Sequence, residues 1–372
     1  TNIVIYDTTG GATPADGDDI LTGGAGADTV NGGGGDDTLN LANGDFVAGE
    51  TLIGADGDDE IVLTNATTVD FTTGTIASVE NLMGSAGNDD VTYTIQQALA
   101  FSTINLGGGT DESRVQISGT VDVTALGTPT VSNTENGHVT GSAGNDILTI
   151  TGAQLDALIF GTGTIDLGTG TNTITLVTDF SSDLASLAAG TDADLQNIQE
   201  IDASAVTSNI TLDLSSQTED MTVTTGNNYD LVTSGQGADI IDIGDGGGYI
   251  YVSGTNGLGD TFIAGAGYHE ISLTADTEFN STMTFSGIDG IDMGAYDIHV
   301  TANDSIDFTG MGMQGWPRGI RGTTGDETIT SSDSNDFSSM NCDVRETSLS
   351  ELTTGEVTVS VEYSGINFKD AL

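Results

Sequence analysis

The chain predicts an all-β fold, a solenoid in which short strands stack coil upon coil along one axis. Three observations carry that expectation. Near the start stand three contiguous nonapeptides, spanning 14–22, 23–31 and 32–40. Each has a glycine in fourth place, an aspartate in sixth and a large aliphatic residue in eighth, and the last two have glycine-rich first halves. Degenerate copies of the same unit recur far downstream. Stretches such as 173–176, 210–214 and 357–363 alternate with the period of two expected of strands. Helical patterning is confined to 95–101, 153–158 and 183–189, one or two turns each.

The nonapeptide divides into two parts. Glycine tolerates positive φ, so the first six residues can bend tightly. The bend exposes carbonyl oxygens, and the aspartate adds a charged one. A shell of carboxylate and carbonyl oxygens suits a hard cation such as Ca²⁺. The last three residues form a short strand with one aliphatic side chain turned inward, because side chains alternate along a strand. One such residue per nonapeptide cannot make a core, so the strands must stack to bury it.

The second and third units fit G-G-x-G-x-D-x-U-x, with U a large aliphatic residue, at every fixed position. In this the chain resembles the RTX (hemolysin-type calcium-binding) family. The resemblance implies a right-handed parallel β-roll with two nonapeptides per coil and calcium between turns on the same edge. It implies that Asp19 and Asp37 share an ion, with carbonyl groups of the turns around Gly17 and Gly35 completing the shell. Asp28 and Gly26 belong to the opposite edge. The partner of Asp28 one regular coil later is Phe46, so that site is either incomplete or uses Asp45 after a slip.

Further copies extend the candidate ligand set to Asp59, Asp89, Asp111, Asp146, Asp230 and Asp239. The turns 84–89 and 141–146 are both Gly-Ser-Ala-Gly-Asn-Asp. At Gly248, His269 and Glu327 the expected aspartate is replaced. Spacings of 22 residues from Asp37 to Asp59 and from Asp89 to Asp111 predict enlarged coils. A longer period, about sixty residues, lies over these: Ser78-Val79-Glu80-Asn81 and Ser132-Asn133-Thr134-Glu135-Asn136 lead into matching turns, and 197–202 opens another unit. Such self-similarity marks a solenoid. The expected organisation is a regular calcium β-roll at 1–62, enlarged degenerate coils at 63–309, and a small non-repeat element at 310–372.

The 372 residues carry 56 acidic and 5 basic side chains, a formal charge of −51. Self-repulsion on that scale opposes compaction unless cations neutralise it. Several calcium ions would account for the charge and the repeat together; adaptation to high salt is the rival account. Nucleic acid is excluded as a partner, since phosphate binding needs Lys and Arg in numbers. No apolar run is long enough for a membrane span. The first residue, Thr1, points to a processed chain or a fragment. The end, 365–372, mixes acidic and apolar residues and suits an uncleaved signal for one-step (type I) secretion. Cys342 is the lone cysteine, which forbids an internal disulfide. Arg318, Arg321, Arg345 and Lys369 place four of the five basic residues in 310–372, which reads either as a cap for the solenoid end or as an assembly contact.

No catalytic constellation emerges. None of His138, His269 and His299 lies in a zinc-protease motif, and no G-x-S-x-G elbow occurs. His269 occupies a ligand slot, as a solvent-facing turn residue or a transition-metal ligand. The glycine runs lack the helix a dinucleotide loop requires. The expected protein is therefore not an enzyme. It is a secreted calcium-binding structural protein that self-associates at a bacterial cell surface, as an S-layer or extracellular filament subunit. Alternatives are a fragment of an RTX adhesin, with a cell-surface polysaccharide as partner, or the carrier module of a secreted enzyme.

Overall fold

The computed structural model of the chain describes residues 4–6, 17–178, 195–301, 305–308, 310–314, 319–322 and 328–330. It is all-β, with about 12 solenoid turns in total and about 6 % helix. Two compact units divide it, Thr1–Val206 and Thr207–Leu372.

In the first unit every strand pairs in parallel with its equivalent one coil away. One sheet runs Ile20–Thr22, Thr38–Leu41, Glu60–Leu63, Asn81–Met83, Thr103–Asn105 and Thr130–Ser132. Another contains Val4–Tyr6, Thr29–Gly34, Thr51–Asp56 and Thr75–Ala77. A third stacks Thr68–Asp70, Asp90–Thr94, Glu112–Gln116, Asn136–Thr140, Ile165–Asp166 and Leu195–Gln196. A fourth contributes Thr120–Asp122, Ile147–Ile150, Thr173–Leu176 and Glu200–Asp202. The second unit repeats the pattern, with Asp230–Thr233, Gly248–Val252 and His269–Leu273 side by side, and Thr222–Thr224 beside Ile240–Asp242.

Register fixes coil size. Ile20 opposes Thr38, two nonapeptides on, so the first coil has the length the resemblance implied. Thr38 opposes Glu60 and Asp90 opposes Glu112, the enlarged coils expected from the spacing of 22 residues. The core is a column of single aliphatic residues. Leu39, Ile61, Leu82 and Ile104 follow one another in register and are buried. Each such burial contributes about 1.5–3 kcal/mol. Thr38–Leu41 shows the expected in-out alternation.

The two helices among the described residues lie at two of the three expected places, Ile95–Ala100 and Gly152–Leu158; 183–189 lies outside the described residues, as does 357–363. Both open on a Thr-x-x-Gln capping box, Thr94 with Gln97 and Thr151 with Gln154. Each glutamine also reaches an earlier coil. Gln97 Nε2 donates to Phe71 O (2.9 Å), and Gln154 Nε2 donates to Val123 O (2.8 Å). The helices thus end one coil while fastening it to the last.

Candidate metal centres

The residue at the entry to each strand carries the candidate chemistry. The Asp19 N–H donates to Asp37 Oδ1 (2.9 Å), the Asp37 N–H to Asp59 Oδ1 (2.8 Å), and the Asp59 N–H to Glu80 Oε2 (3.0 Å). Each side chain therefore reaches back to the coil before it. A second such ladder joins Thr67, Asp89, Asp111 and Glu135 at 2.7–2.8 Å. A third joins Gly119, Asp146, Asn172 and Gln199. One residue earlier, a ladder runs the opposite way. There the Asp36 N–H donates to Asp18 Oδ1, Asp58 N–H to Asp36 Oδ1, Thr110 N–H to Asn88 Oδ1, and Thr171 N–H to Asn145 Oδ1.

The long sequence period is the spacing of ladder ends. Ser78, Asn133 and Asn197 have φ of 50°, 49° and 57°, and each stands two residues before Glu80, Glu135 or Gln199. A left-handed residue reshapes the turn, and a longer side chain then spans to the last N–H.

In the first unit the second oxygen of the aspartate distinguishes two kinds of turn, and the residue four places earlier marks which. At Gly24, Gly33, Ala55, Gly107 and Gly168 φ is positive, between 73° and 110°. Asn172, which follows Gly168, reports what such a turn presents. Its Oδ1 holds the Asp146 N–H (2.9 Å), which fixes the amide, and its Nδ2 donates to Gly168 O (3.1 Å) and Asn197 O (2.7 Å). The slot for the second atom therefore faces carbonyl oxygens. An aspartate there sets oxygen against oxygen. Asp59 and Asp111 show the result: Oδ2 of each is buried without a hydrogen-bond partner. Burial pushes both carboxyl groups up, against the hydrogen bonds that lower them. A cation bound by carboxylate and carbonyl oxygens resolves the conflict, and the donor set fits Ca²⁺.

At Ser85 and Ser142 φ is not positive, and the turn presents donors instead. Ser85 N–H and Oγ donate to Asp89 Oδ2 at 2.8 and 3.0 Å. Ser142 N–H and Oγ donate to Asp146 Oδ2 at 2.7 and 3.1 Å. These two carboxylates are satisfied by their own turn.

Glycines make room for this arrangement at two places. A Cβ on Gly32 would overlap Asp37 Oδ2, because the carboxylate folds back over the start of its own turn. A Cβ on Gly35 (φ 116°) would lie 2.5 Å from the Gly17 carbonyl carbon. The bends of neighbouring coils thus touch backbone to backbone. Gly26 (φ 137°) holds the equivalent place in its own turn, beside Asp28 on the other edge.

The partner of Asp28 is a correction to the sequence reading. It is neither Phe46 nor Asp45 but Glu50, 22 residues on, whose Oε2 accepts the Asp28 N–H (2.9 Å). Glu50 is buried, and burial raises its carboxyl, with Asp28 and Asp45 adding to the rise. Asp45 instead accepts the Ala42 N–H within its own turn. Coil enlargement moved the partner beyond the expected spacing.

In the second unit Asp230 Oδ1 accepts the Ile210 N–H (2.8 Å), and its Oδ2 is buried without a hydrogen-bond partner. Asp239 Oδ1 accepts the Met221 N–H (2.9 Å), and the Asp239 N–H donates to Asp260 Oδ1 (2.9 Å). Asp260, which sequence reasoning missed, also accepts from Ser234 Oγ (2.6 Å). Its turn, 255–259, carries Gly257-Leu258-Gly259, one place out of step with the G-x-G-x-D spacing of the repeat. Burial pushes Asp239 up to about 7 and Asp260 up to about 6.

His269 is buried, not solvent-facing, which corrects that expectation. Its Nε2 accepts the Gly247 N–H (3.2 Å), so an imidazole serves as a neutral rung in place of a carboxylate. At Gly248 no side chain fits, since a Cβ would overlap Asp230 O. Glu327 lies outside the described residues.

Fold and site together define a parallel β-solenoid whose Gly/Asp turns offer oxygen ligands to a cation. Residues 15–45 match the family model described as RTX calcium-binding nonapeptide repeat (4 copies). The chain thus carries calcium-binding repeats of the RTX type, repeats typical of type I secreted extracellular proteins. No curated protein matches the chain. Among the described residues no helix is long and apolar enough to cross a membrane.

Proposed function

We propose that this chain is a secreted structural protein whose N-terminal coils fold around several calcium ions, and which assembles at the cell surface in a calcium-dependent way. An S-layer or an extracellular filament subunit is the form of assembly that fits. The orientation of the Asn172 amide is the observation that carries the calcium reading: where nitrogen replaces the second oxygen, it bonds the carbonyl groups a cation would otherwise hold. On that pattern Asp28, Asp37, Asp59 and Asp111 take calcium with carbonyl groups of the turns they close, and Asp19 and Asp37 share an ion. Asp89 and Asp146, satisfied by serine, hold none. Adjacent aspartates stand one coil apart, about 4.8 Å, and repel by roughly 3–4 kcal/mol at an effective dielectric of about 20. Bound calcium reverses that sign.

A structural role accounts for the use of nearly every buried carboxylate among the described residues in coil-to-coil bonding. Electron microscopy of the full chain with calcium and with chelator tests the assembly reading. Ordered sheets or filaments with calcium and dispersed particles without it are expected; dispersed particles under both conditions reject it.

One observation favours surface adhesion as a second reading. Tyr229 and Tyr268 are exposed, and Tyr229, Tyr249 and Tyr251 form a continuous aromatic strip, with ring centroids 5.8 and 6.1 Å apart. Rings with a polar end suit a sugar face. Loss of polysaccharide binding in Tyr229→Ser and Tyr249→Ser would support it; no binding by the parent chain would reject it.

A further inference from the structure

We propose that Asp276, Asp297 and His299 form a transition-metal site, separate in chemistry from the calcium turns. Residues two apart on a strand face the same side. Asp297 and His299 are so placed on Asp297–Val300, while Ile298 and Val300 face the core. The preceding coil brings Thr277–Phe279 alongside in parallel, with Thr277 opposite Ile298 and Glu278 opposite His299. Asp276, just before that strand, therefore stands beside Asp297. The Asp297 N–H donates to Asp276 Oδ1 (2.9 Å), which fixes the Asp276 carboxylate against the neighbouring coil. One ligand atom from each of Asp276, Asp297 and His299 lies within 4.8 Å of the others.

The donor chemistry selects the ion. Calcium takes oxygen ligands, whereas an imidazole nitrogen with two carboxylates suits zinc and its first-row neighbours. The other two histidines are committed elsewhere. His138 Nε2 meets Glu112 Oε2 at 2.8 Å, and its Nδ1 lies 3.1 Å from Thr164 Oγ1. His269 Nε2 holds a backbone N–H. His299 is half-buried and Asp276 exposed, so solvent reaches the cluster from one side and water can complete the shell. Asp297, 6 % exposed, forms its floor.

The test uses the full chain saturated with calcium, so that the glycine turns cannot compete. Zinc uptake is measured by titration calorimetry, and cobalt is added as a spectroscopic probe of nitrogen ligation. The parent chain is expected to take up one zinc equivalent that calcium does not displace, and to give cobalt a visible absorption. His299→Gln and Asp276→Asn should each lose that equivalent with calcium uptake and circular dichroism unchanged, while His138→Gln retains it. Both altered side chains are solvent-accessible, so either variant reports if the other fails to fold. Absence of zinc uptake over calcium, or equal uptake in the parent, His299→Gln and Asp276→Asn, overturns the proposal.

Discussion

The turns at 32–37 and 141–146 enter the same kind of strand and end on the same buried aspartate, yet they solve its charge in opposite ways. In the first, Gly33 takes φ 110°, the left-handed turn that at Gly168 presents carbonyl groups to the Asn172 amide. In the second, Ser142 aims an N–H and a hydroxyl at it. One turn calls for a cation and the other supplies its own donors. In the first unit the handedness of a single residue, four places before the aspartate, therefore separates the turns proposed to take metal from those that supply their own donors.

Removing calcium is the most severe way to break the comparison. In chelator, hydrogen exchange should lose its protection across 17–63, where charge repulsion and glycine entropy are unopposed. Across 85–94 and 142–150 protection should persist. Equal loss in both regions would show that the serine turns do not stand alone.

Next in size is the protonation of the second unit. The folded values of Asp239 and Asp260, about 7 and about 6, lie above the ordinary carboxylate value near 4. The folded coil thus holds protons that the unfolded chain releases. The associated stability is full below about pH 4 and is lost as pH rises through 6 and 7, on the order of a few kcal/mol. Without calcium, coils 221–263 should gain exchange protection on acidification from about pH 7.5 to about pH 5. Calcium binding at Asp239 would abolish that dependence, so repeating the measurement with calcium shows whether this turn resembles the first kind or the second.

Single substitutions give smaller effects. Asp37→Ala removes the acceptor of the Asp19 N–H, which alone costs about 1–3 kcal/mol, and also removes a calcium ligand. Asp37→Asn keeps the acceptor, so calorimetry should show lost calcium with a smaller loss of stability in chelator. Asp146→Asn should cost about 1–3 kcal/mol by chemical denaturation, because its Nδ2 would face the Ser142 N–H that the carboxylate now accepts.

Smallest and sharpest is Ser142→Gly, which turns Gly-Ser-Ala-Gly-Asn-Asp into Gly-Gly-Ala-Gly-Asn-Asp. It should cost about 1–2 kcal/mol without calcium, through the lost hydroxyl bonds to Asp146. It should also add one calcium equivalent in a binding titration. A variant that loses stability and gains no ion would show that the conformation at this place, and not side-chain identity, sets the outcome.

Much of this was legible in the residues, for physical reasons. Glycine spacing and the eighth-place aliphatic fixed the strands and their stacking, because both needs are local. Asp37 and Asp59 were found because their turns keep Gly32 and Gly54, the glycines that a folded-back carboxylate demands. Glu50 was hidden because its coil had grown, and a longer side chain covered the change. Asp260 was hidden because the glycines of its turn, Gly257 and Gly259, are shifted by one place from the repeat's spacing. The meaning of serine in 84–89 could not be read at all, since φ is not written in a residue name, and only the paired donors on Asp89 reveal it.

The counter-running inner and outer ladders have a consequence for ends. Separate two adjacent coils joined by both ladders, as at Asp19/Asp37 and Asp37/Asp59, and the leading face keeps unused inner amide hydrogens with unused outer side-chain oxygens. The trailing face keeps the converse set. The two cut surfaces are each other's complement, and neither matches itself. Molecules meeting through such surfaces would join head to tail and propagate in one direction, a polymer polarity written into every turn.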